Sequence, residues 1–228
     1  MHLFGIEWKT EGEENSDMSI NTILFDLDGT LLDTNELIQK SFEYTFEYFG
    51  YSFTKEEILQ FNGPPLMKTF SEINPDLAEE MVKVYRKHNH ENHAKYVKLF
   101  PNVRETLEVL KKNGKKLAIV TAKMRSGVEL GLELTKIKDY FDAIVTIDDV
   151  KNPKPHPEPV LKAMSELDGE REESIMVGDN YHDIESGKNA GIKTVGVAWS
   201  LKGEDYLRQF QPTYIIDDMK ELIPIVGV

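Results

Sequence analysis

Short runs of β-branched and aliphatic residues alternate with longer segments of helical periodicity, and this alternation most constrains the fold of the chain. Strands that alternate with helices pack as a parallel sheet covered on both faces, so the sequence predicts an α/β fold. The predicted strands are 22–27, 116–121, 143–147, 174–177, 194–198 and 214–216. The predicted helices lie near 102–113, 125–138, 157–168 and 180–190. Gly114 and Gly191 are expected to end two of these helices.

The alternation stops between residues 34 and 98, where helical patterns follow one another and no convincing strand is found. One of these helices is expected to begin at Thr54, because Glu57 completes a capping box with it. We therefore expect an all-helical cap domain at 34–98, inserted into a core domain formed by 18–33 and 99–228. The other predicted cap helices span 36–49 and 77–96.

The remaining segment and the composition limit the possible partners. Residues 1–17 end in a polar stretch just before Met18 and the first strand, so we interpret them as an N-terminal extension. The formal net charge of −13 disfavours nucleic acid and anionic membranes as partners. Cysteine is absent, which excludes a thiolate nucleophile and a cysteine metal site, and no apolar run approaches the roughly 18 to 20 residues of a membrane span. We expect a cytoplasmic monomer or weak dimer.

Two carboxylates follow the first predicted strand, in the string Asp-Leu-Asp-Gly-Thr-Leu at 26–31. Side chains two residues apart in extended backbone project to the same side. Asp26 can therefore attack an electrophile while Asp28 handles a proton. The alternative is a plain turn, because Asp and Gly both favour turns.

Polar residues at three further positions follow later strands or lie in the loops between them. Thr121 closes a strand, Lys154 lies among closely spaced prolines, and Asp179 and Asp183 follow the strand 174–177. Each has an ordinary alternative: a strand-end or N-cap threonine, a solvated loop lysine, and acids that favour a helix N-terminus. Ligands of parallel sheets bind at the carboxyl ends of the strands, so we expect these residues to meet Asp26.

These stretches resemble, in order, the four motifs of the haloacid dehalogenase (HAD) superfamily. The resemblance implies a Rossmann-like core with a helical cap after the first motif. It also implies that Asp26 is the nucleophile, that Asp28 is the acid and base, and that Thr121 and Lys154 are the phosphate and charge partners. A Mg²⁺ cofactor is implied, bound by the carboxylates of Asp26 and Asp179 and the backbone carbonyl of Asp28, with Asp183 in support.

The sequences of four segments indicate a particular subfamily of the HAD superfamily. Residues 19–30, 63–66, 177–184 and 196–199 are similar to the bacterial HAD-type inorganic pyrophosphatases associated with HPr kinase/phosphorylase. This implies hydrolysis of pyrophosphate, a small-molecule phosphate substrate, to two phosphates through an aspartyl-phosphate. Phosphoglycolate phosphatases are close relatives, and a sugar-phosphate mutase would use the same pair of aspartates. A binding module without catalysis is disfavoured, because all four motifs carry residues that can take part in the reaction.

The expected phosphate contacts extend beyond the nucleophile. The turn at 63–66 leads into an apparent helix whose amides can cradle an anion, although a hinge between cap helices is the alternative. The expected substrate-binding residues are Gly29, Thr30, Gly63, Thr121, Ala122 and Lys154.

Other charged groups have two interpretations. The spacing of His88, His90 and His93 could suggest metal ligands, but on a helix only His90 and His93 share a face, so a polar helix face is the favoured interpretation. Asp148 and Asp149 follow a strand and either support the site or cap a turn. The further candidates for the cleft, or for solvated surface, are Lys68, Arg86, Lys123 and Arg125.

Overall fold

The structure, a computed structural model, describes residues 19–228, and the predicted N-terminal extension 1–17 lies outside them. Six strands form one parallel sheet in the order β5-β4-β1-β6-β7-β8, which confirms the α/β class, and β2 and β3 form a separate antiparallel pair. Within the described range the strands are β1 (Thr22–Phe25), β2 (Leu32–Asp33), β3 (Lys98–Leu99), β4 (Lys116–Val120), β5 (Ala143–Val145), β6 (Ser174–Gly178), β7 (Lys193–Val197) and β8 (Tyr214–Ile216).

Helices cover both faces of this sheet and also fill the segment between β2 and β3. They are α1 (Asn35–Tyr48), α2 (Lys55–Gln60), α3 (Leu66–Ile73), α4 (Ala78–Tyr96), α5 (Val103–Lys112), α6 (Arg125–Thr135), α7 (Glu158–Glu166), α8 (Tyr181–Ala190), α9 (Glu204–Arg208) and α10 (Leu222–Ile225). Short 3₁₀ turns lie at Lys138–Tyr140, Ile147–Asp149 and Met219–Glu221. None of the helices in the described chain has the length and apolarity needed to cross a bilayer.

Alternate residues of the central strand enter two different cores. Ile23 and Phe25 of β1 pack into a cluster with residues of α5 and α6, whereas Leu24 packs into a second cluster with residues of α7. This follows from the two-residue period of a strand, whose successive side chains point to opposite faces. The sheet is therefore buried on both sides, as a parallel sheet requires.

The strand order fixes where a ligand can bind. β1 lies between β4 and β6, and Phe25 at its carboxyl end is level with Ile119 of β4 and Val177 of β6. From β1 the chain runs to β4 and β5 on one side and then continues with β6, β7 and β8 on the other. Such a reversal opens a crevice at the carboxyl ends of the central strands.

Helices α1–α4, here called the cap, follow one another without an intervening strand among the described residues, as the pattern predicted. They share an apolar cluster of their own, in which the ring of Phe42 lies 4.8 Å from that of Tyr85 and 5.7 Å from that of Phe70, between centroids. The capping box of Thr54 and Glu57 is present. The domain boundaries at 34–98 stay a prediction.

Several elements differ from the expectation. The pair β2–β3 joins Leu32 to Leu99 at the base of the cap and was not predicted, because two-residue strands carry no periodic signal. Helices α9 and α10 were not predicted either, because they are also too short to show a periodic pattern. Helix α6 ends at Thr135 rather than near 138, because Lys136 adopts a left-handed φ of 53°, a turn the sequence marks with no glycine.

Candidate active site

Lys154 joins the ends of several strands through one buried ammonium group. Its Nζ donates hydrogen bonds to Oδ1 of Asp26 at 2.7 Å, to Oδ1 of Asp183 at 2.6 Å and to the carbonyl oxygen of Val120 at 2.8 Å. Asp26 directly follows β1, Val120 ends β4, and Asp183 lies in the first turn of α8 after β6. The predicted nucleophile and the predicted lysine are therefore in direct contact.

Three buried carboxylates gather at this edge of the sheet. One oxygen from each of Asp26, Asp179 and Asp183 lies within 4.8 Å of the others. The Asn180 N–H donates to Oδ2 of Asp183 at 3.0 Å, and the Ser200 hydroxyl donates to the backbone carbonyl oxygen of Asp179 at 2.7 Å. The Asp183 carboxylate and the backbone of Asp179 are thus held by bonds that need no ligand.

The electrostatics of this group call for an additional cation. Burial raises the pKa of Asp26 to about 7, although the charge of Lys154 works against the shift. Burial and the charges of Asp183 and Asp26 also hold the pKa of Asp179 well above its usual range. Burial opposes protonation of Lys154, but Asp183 and Asp26 together raise its pKa. Because one ammonium faces three carboxylates, a divalent cation fits both the oxygen donors and the charge.

Asp28 lies apart from the three carboxylates and pairs with a different lysine. Nζ of Lys123 lies 2.9 Å from Oδ1 and 3.1 Å from Oδ2 of Asp28. Gly127, one turn into α6, makes room for this lysine, because an added Cβ would lie only 2.8 Å from Cε of Lys123. The second predicted carboxylate is therefore oriented by a residue that sequence reasoning treated only as a candidate for the cleft.

Two glycines let loops approach the carboxylates closely. Gly29 has a φ of +85°, and a Cβ there would lie 2.5 Å from Oδ2 of Asp179. Gly63 has a φ of +113°, and a Cβ there would lie 2.6 Å from Nδ2 of Asn180. Backbone in this region of φ favours glycine, and the lack of space reinforces the choice. Gly29 therefore packs against the carboxylate of Asp179, and Gly63 brings the cap against the loop that carries Asp179.

The contact between cap and core centres on one carbonyl. The oxygen of Asn62 accepts hydrogen bonds from Nδ2 of Asn180 at 3.3 Å and from Nζ of Lys202 at 3.4 Å. Nδ1 of His182 lies 3.1 Å from Oδ1 of Asn180 and extends the same network. Sequence reasoning missed Asn62, Asn180, His182 and Lys202. The only available signal was the capping pattern formed by Asn180 and Asp183.

A cavity of about 470 Å³ lies over these groups. Two predicted phosphate contacts, Gly29 and Thr30, do not form its wall, and Thr30 is fully buried. The other predicted residues line it together: Asp26, Asp28, Gly63, Thr121, Ala122, Lys154, Asp179 and Asp183. The hydroxyl oxygen of Thr121 accepts a hydrogen bond from the N–H of Lys123 at 3.1 Å, which shapes the loop after β4.

Of the four basic residues considered as candidates for the cleft, two line the cavity and two do not. Arg86 and Lys123 line the cavity, whereas Lys68 and Arg125 do not. Arg125 instead donates from its guanidinium to Oδ2 of Asp149 at 2.6 Å. Its own backbone N–H donates to Asp148 at 2.8 Å, so both acids take capping roles at the loop and α6.

The three histidines of α4 lie on different sides of the helix, as helical periodicity predicted. His90 and His93 line the cavity, but His88 faces away from it, with Nδ1 lying 3.1 Å from the hydroxyl of Ser41. Within residues 19–228 the three histidines do not meet as a metal-binding group. The reason is helical geometry, because residues two apart on α4 point in different directions.

Comparison with known proteins identifies the family of the chain. The model of the haloacid dehalogenase-like hydrolase family matches residues 23–197, and the chain belongs to that family. It is 53% identical over 210 residues to a protein of Oceanobacillus iheyensis named pyrophosphatase PpaX, covering 92% of this chain and 98% of that protein. A Bacillus mycoides protein of the same name is 52% identical over 211 residues, with the same shares covered.

The solved structures give the same family. A hydrolase of the haloacid dehalogenase-like family from Streptococcus pneumoniae matches with a TM-score of 0.80 and 30% identity. The match covers 90% of this chain and 98% of that one. The chain is thus a HAD hydrolase, and its parallel sheet with flanking helices matches the solved structures of that family.

Proposed function

We propose that this hydrolase cleaves inorganic pyrophosphate into two phosphates with Mg²⁺ as cofactor. The observation that carries the proposal is the buried contact of Asp26 with Lys154 beside the carboxylates of Asp179 and Asp183. The substrate rests on the relatives named pyrophosphatase, which match nearly the whole chain at about half identity.

Asp26 is suited to be the nucleophile in this reaction. Its carboxylate oxygen attacks the near phosphorus, and the bond from that phosphorus to the bridging oxygen breaks. Lys154 is already bonded to Asp26 and neutralises charge where the phosphoryl group is transferred. The product of this step is an aspartyl-phosphate on Asp26 and a departing phosphate.

Asp28 is suited to move the proton in both steps. It lines the same cavity as Asp26 and donates a proton to the bridging oxygen as the phosphate leaves. It then takes a proton from water, whose oxygen attacks the phosphorus and breaks the bond to Asp26. Thr121 and Ala122 directly follow β4, line the same cavity and can donate hydrogen bonds to the transferred phosphoryl oxygens.

The residues present fit Mg²⁺. The carboxylates of Asp26 and Asp179, with the Asp28 carbonyl and Asp183 in support, would hold the ion, because hard oxygen donors are the ligands it prefers. When bound, the ion would neutralise the phosphate charge that otherwise repels the Asp26 carboxylate. The cap would cover this edge as a separate domain comprising residues 34–98, with Gly63 at the seam.

The proposal is tested by a comparison of substrates. We expect kcat/KM for pyrophosphate to exceed that for phosphoglycolate by at least about tenfold, which corresponds to about 1.4 kcal/mol. Phosphate release in the presence of Mg²⁺ is the measurement. Equal or faster hydrolysis of phosphoglycolate would overturn the pyrophosphatase assignment, and isomerised hexose phosphate in the presence of its bisphosphate would show a mutase instead.

A further inference from the structure

The side chain of His93 is buried in the cavity wall without a hydrogen-bond partner. The residue is only 2% exposed, and neither Nδ1 nor Nε2 has a partner within residues 19–228. Buried polar groups of native proteins are nearly always paired, so an orphaned imidazole requires an explanation. Because His93 also lines the cavity that holds Asp26 and Lys154, a ligand in this cavity is the natural partner.

His93 belongs to a row of polar residues on one helix. Arg86, Asn89, His90 and His93 of α4 all line the cavity, and we call them the α4 face. Their spacing of three to four residues brings such side chains onto one side of a helix. Helix α4 therefore presents several hydrogen-bond donors to the cavity that Asp26 and Asp28 also line.

The surroundings of His93 point to an anion as that ligand. Burial, followed by the charge of Lys123, lowers the pKa of His93 to about 4, with Asp28 acting in the opposite direction. The ring is therefore neutral near pH 7 and offers one N–H donor and one acceptor nitrogen. Lys123 and Arg86 line the same cavity and supply positive charge. A neutral donor beside the guanidinium of Arg86 and the ammonium of Lys123, which is paired with Asp28, suits a phosphate group.

The position relative to Asp28 selects one of the two phosphates. In the proposed reaction the transferred phosphoryl group lies at Asp26 and Lys154, and Asp28 protonates the oxygen that leaves. The leaving phosphate must then lie beside Asp28, where the charges of both Asp28 and Lys123 reach His93. We propose that the α4 face is the subsite for the leaving phosphate, with His93 as its specificity-determining donor. This inference rests on the proposed function.

The test compares substrates with and without a second anionic group. In His93→Leu we expect kcat/KM for pyrophosphate to fall about 10- to 100-fold, as for the loss of a hydrogen bond to a charged group. The value for p-nitrophenyl phosphate, whose leaving group is aromatic, should stay within about twofold. His88→Leu is the matched control, because His88 is on the same helix but outside the cavity wall, and it should leave both values unchanged.

Two further variants keep the inference falsifiable if His93→Leu does not fold. His93→Gln keeps a side-chain donor and should recover most of the activity with pyrophosphate, whereas Arg86→Met, at an exposed position, should selectively weaken it. Inhibition of p-nitrophenyl phosphate hydrolysis by methylenediphosphonate should weaken in Arg86→Met and stay nearly unchanged in His93→Gln. An equal loss with both substrates would show a packing role and overturn the inference, as would unchanged pyrophosphate hydrolysis in Arg86→Met together with unchanged inhibition.

The failure of this inference is distinguishable from failure of the proposed function. If the unaltered protein hydrolyses pyrophosphate and the variants keep its substrate ratio, only the α4 subsite is wrong. If the unaltered protein prefers phosphoglycolate, the pyrophosphatase assignment is wrong. The same variants assayed with phosphoglycolate then decide whether the α4 face binds the distal anionic group.

Discussion

The strand-end site and the α4 face of the cap border the same cavity but differ in how complete they are. At the strand ends, Lys154 is bonded to Asp26 and Asp183, and Asp179 is braced through Ser200. On the α4 face, His93 is buried and has no hydrogen-bond partner among residues 19–228. The chemistry is therefore assembled by the sheet before a substrate binds, whereas the recognition surface is completed by the substrate. Changes at the strand ends should affect kcat with every substrate, and changes in the cap should affect substrate preference.

The largest expected effect comes from removing Asp26, the proposed nucleophile. Asp26→Asn should lower kcat by about 10⁴-fold or more with both pyrophosphate and p-nitrophenyl phosphate, because no other side chain can form the covalent intermediate. The two residues have nearly the same volume, so circular dichroism should show an intact fold. Asp139→Asn, at an exposed site, is the control. Phosphate release near the level of the unaltered protein would rule out the covalent route.

The next effect concerns the charge of the strand-end site. The pKa of Asp26 is raised from 3.8 to about 7 in the folded protein. The folded state therefore binds more protons than the unfolded state between these values, and the free energy of unfolding of metal-free protein should fall as pH rises from about 4 to about 7. Mg²⁺ should oppose this loss and stabilise by about 2.7 kcal/mol at 100 times its Kd.

Thermal unfolding in EDTA and in Mg²⁺ measures this effect. The gain in Tm on adding Mg²⁺ should be larger at pH 8 than at pH 5, because the carboxylates must be ionised to bind the ion. A variant in which Asp179 is replaced by Asn should show a smaller gain at both values. If the gain in Tm is equal at the two pH values, Mg²⁺ does not bind to the carboxylates of Asp26, Asp179 and Asp183.

The smallest expected effect concerns the contact between cap and core, where Gly63 packs against Asn180. In Gly63→Ala the new Cβ would meet Nδ2 of Asn180 at 2.6 Å, so the turn must shift away from the loop that carries Asp179. We expect KM for pyrophosphate to rise about tenfold, equivalent to about 1.4 kcal/mol, with kcat nearly unchanged.

Gly50→Ala is the matched control for this variant. Gly50 also lies in the cap with a positive φ of 76°, but nothing lies within 4 Å of a Cβ added there. Both variants therefore carry backbone strain, and only Gly63→Ala adds the collision. If the two variants have the same KM, the seam plays no part in substrate binding.

Much of the fold could be predicted because its signals are local. The alternation of strand and helix patterns, the capping box of Thr54 and Glu57, and the helix stop at Gly191 each depend on neighbouring residues. The strand-end rule also placed Asp26 and Asp179 at one edge without knowledge of the strand order. Helix α6 and the pair β2–β3 were less accessible, since Lys136 turns left-handed without a glycine and short ladders have no period.

The sequence by itself determined the α/β class and the residue types of the strand-end site, because strand periodicity and the order of polar strand ends are written along the chain. Only the tertiary structure decided their pairing. Lys154 contacts Asp26 across 128 residues, Asn180 contacts Asn62 across 118, and Lys123 contacts Asp28. The unpartnered state of His93 was equally hidden. Contacts between distant segments depend on strand order and on how the cap packs on the core, and neither is encoded in a local pattern.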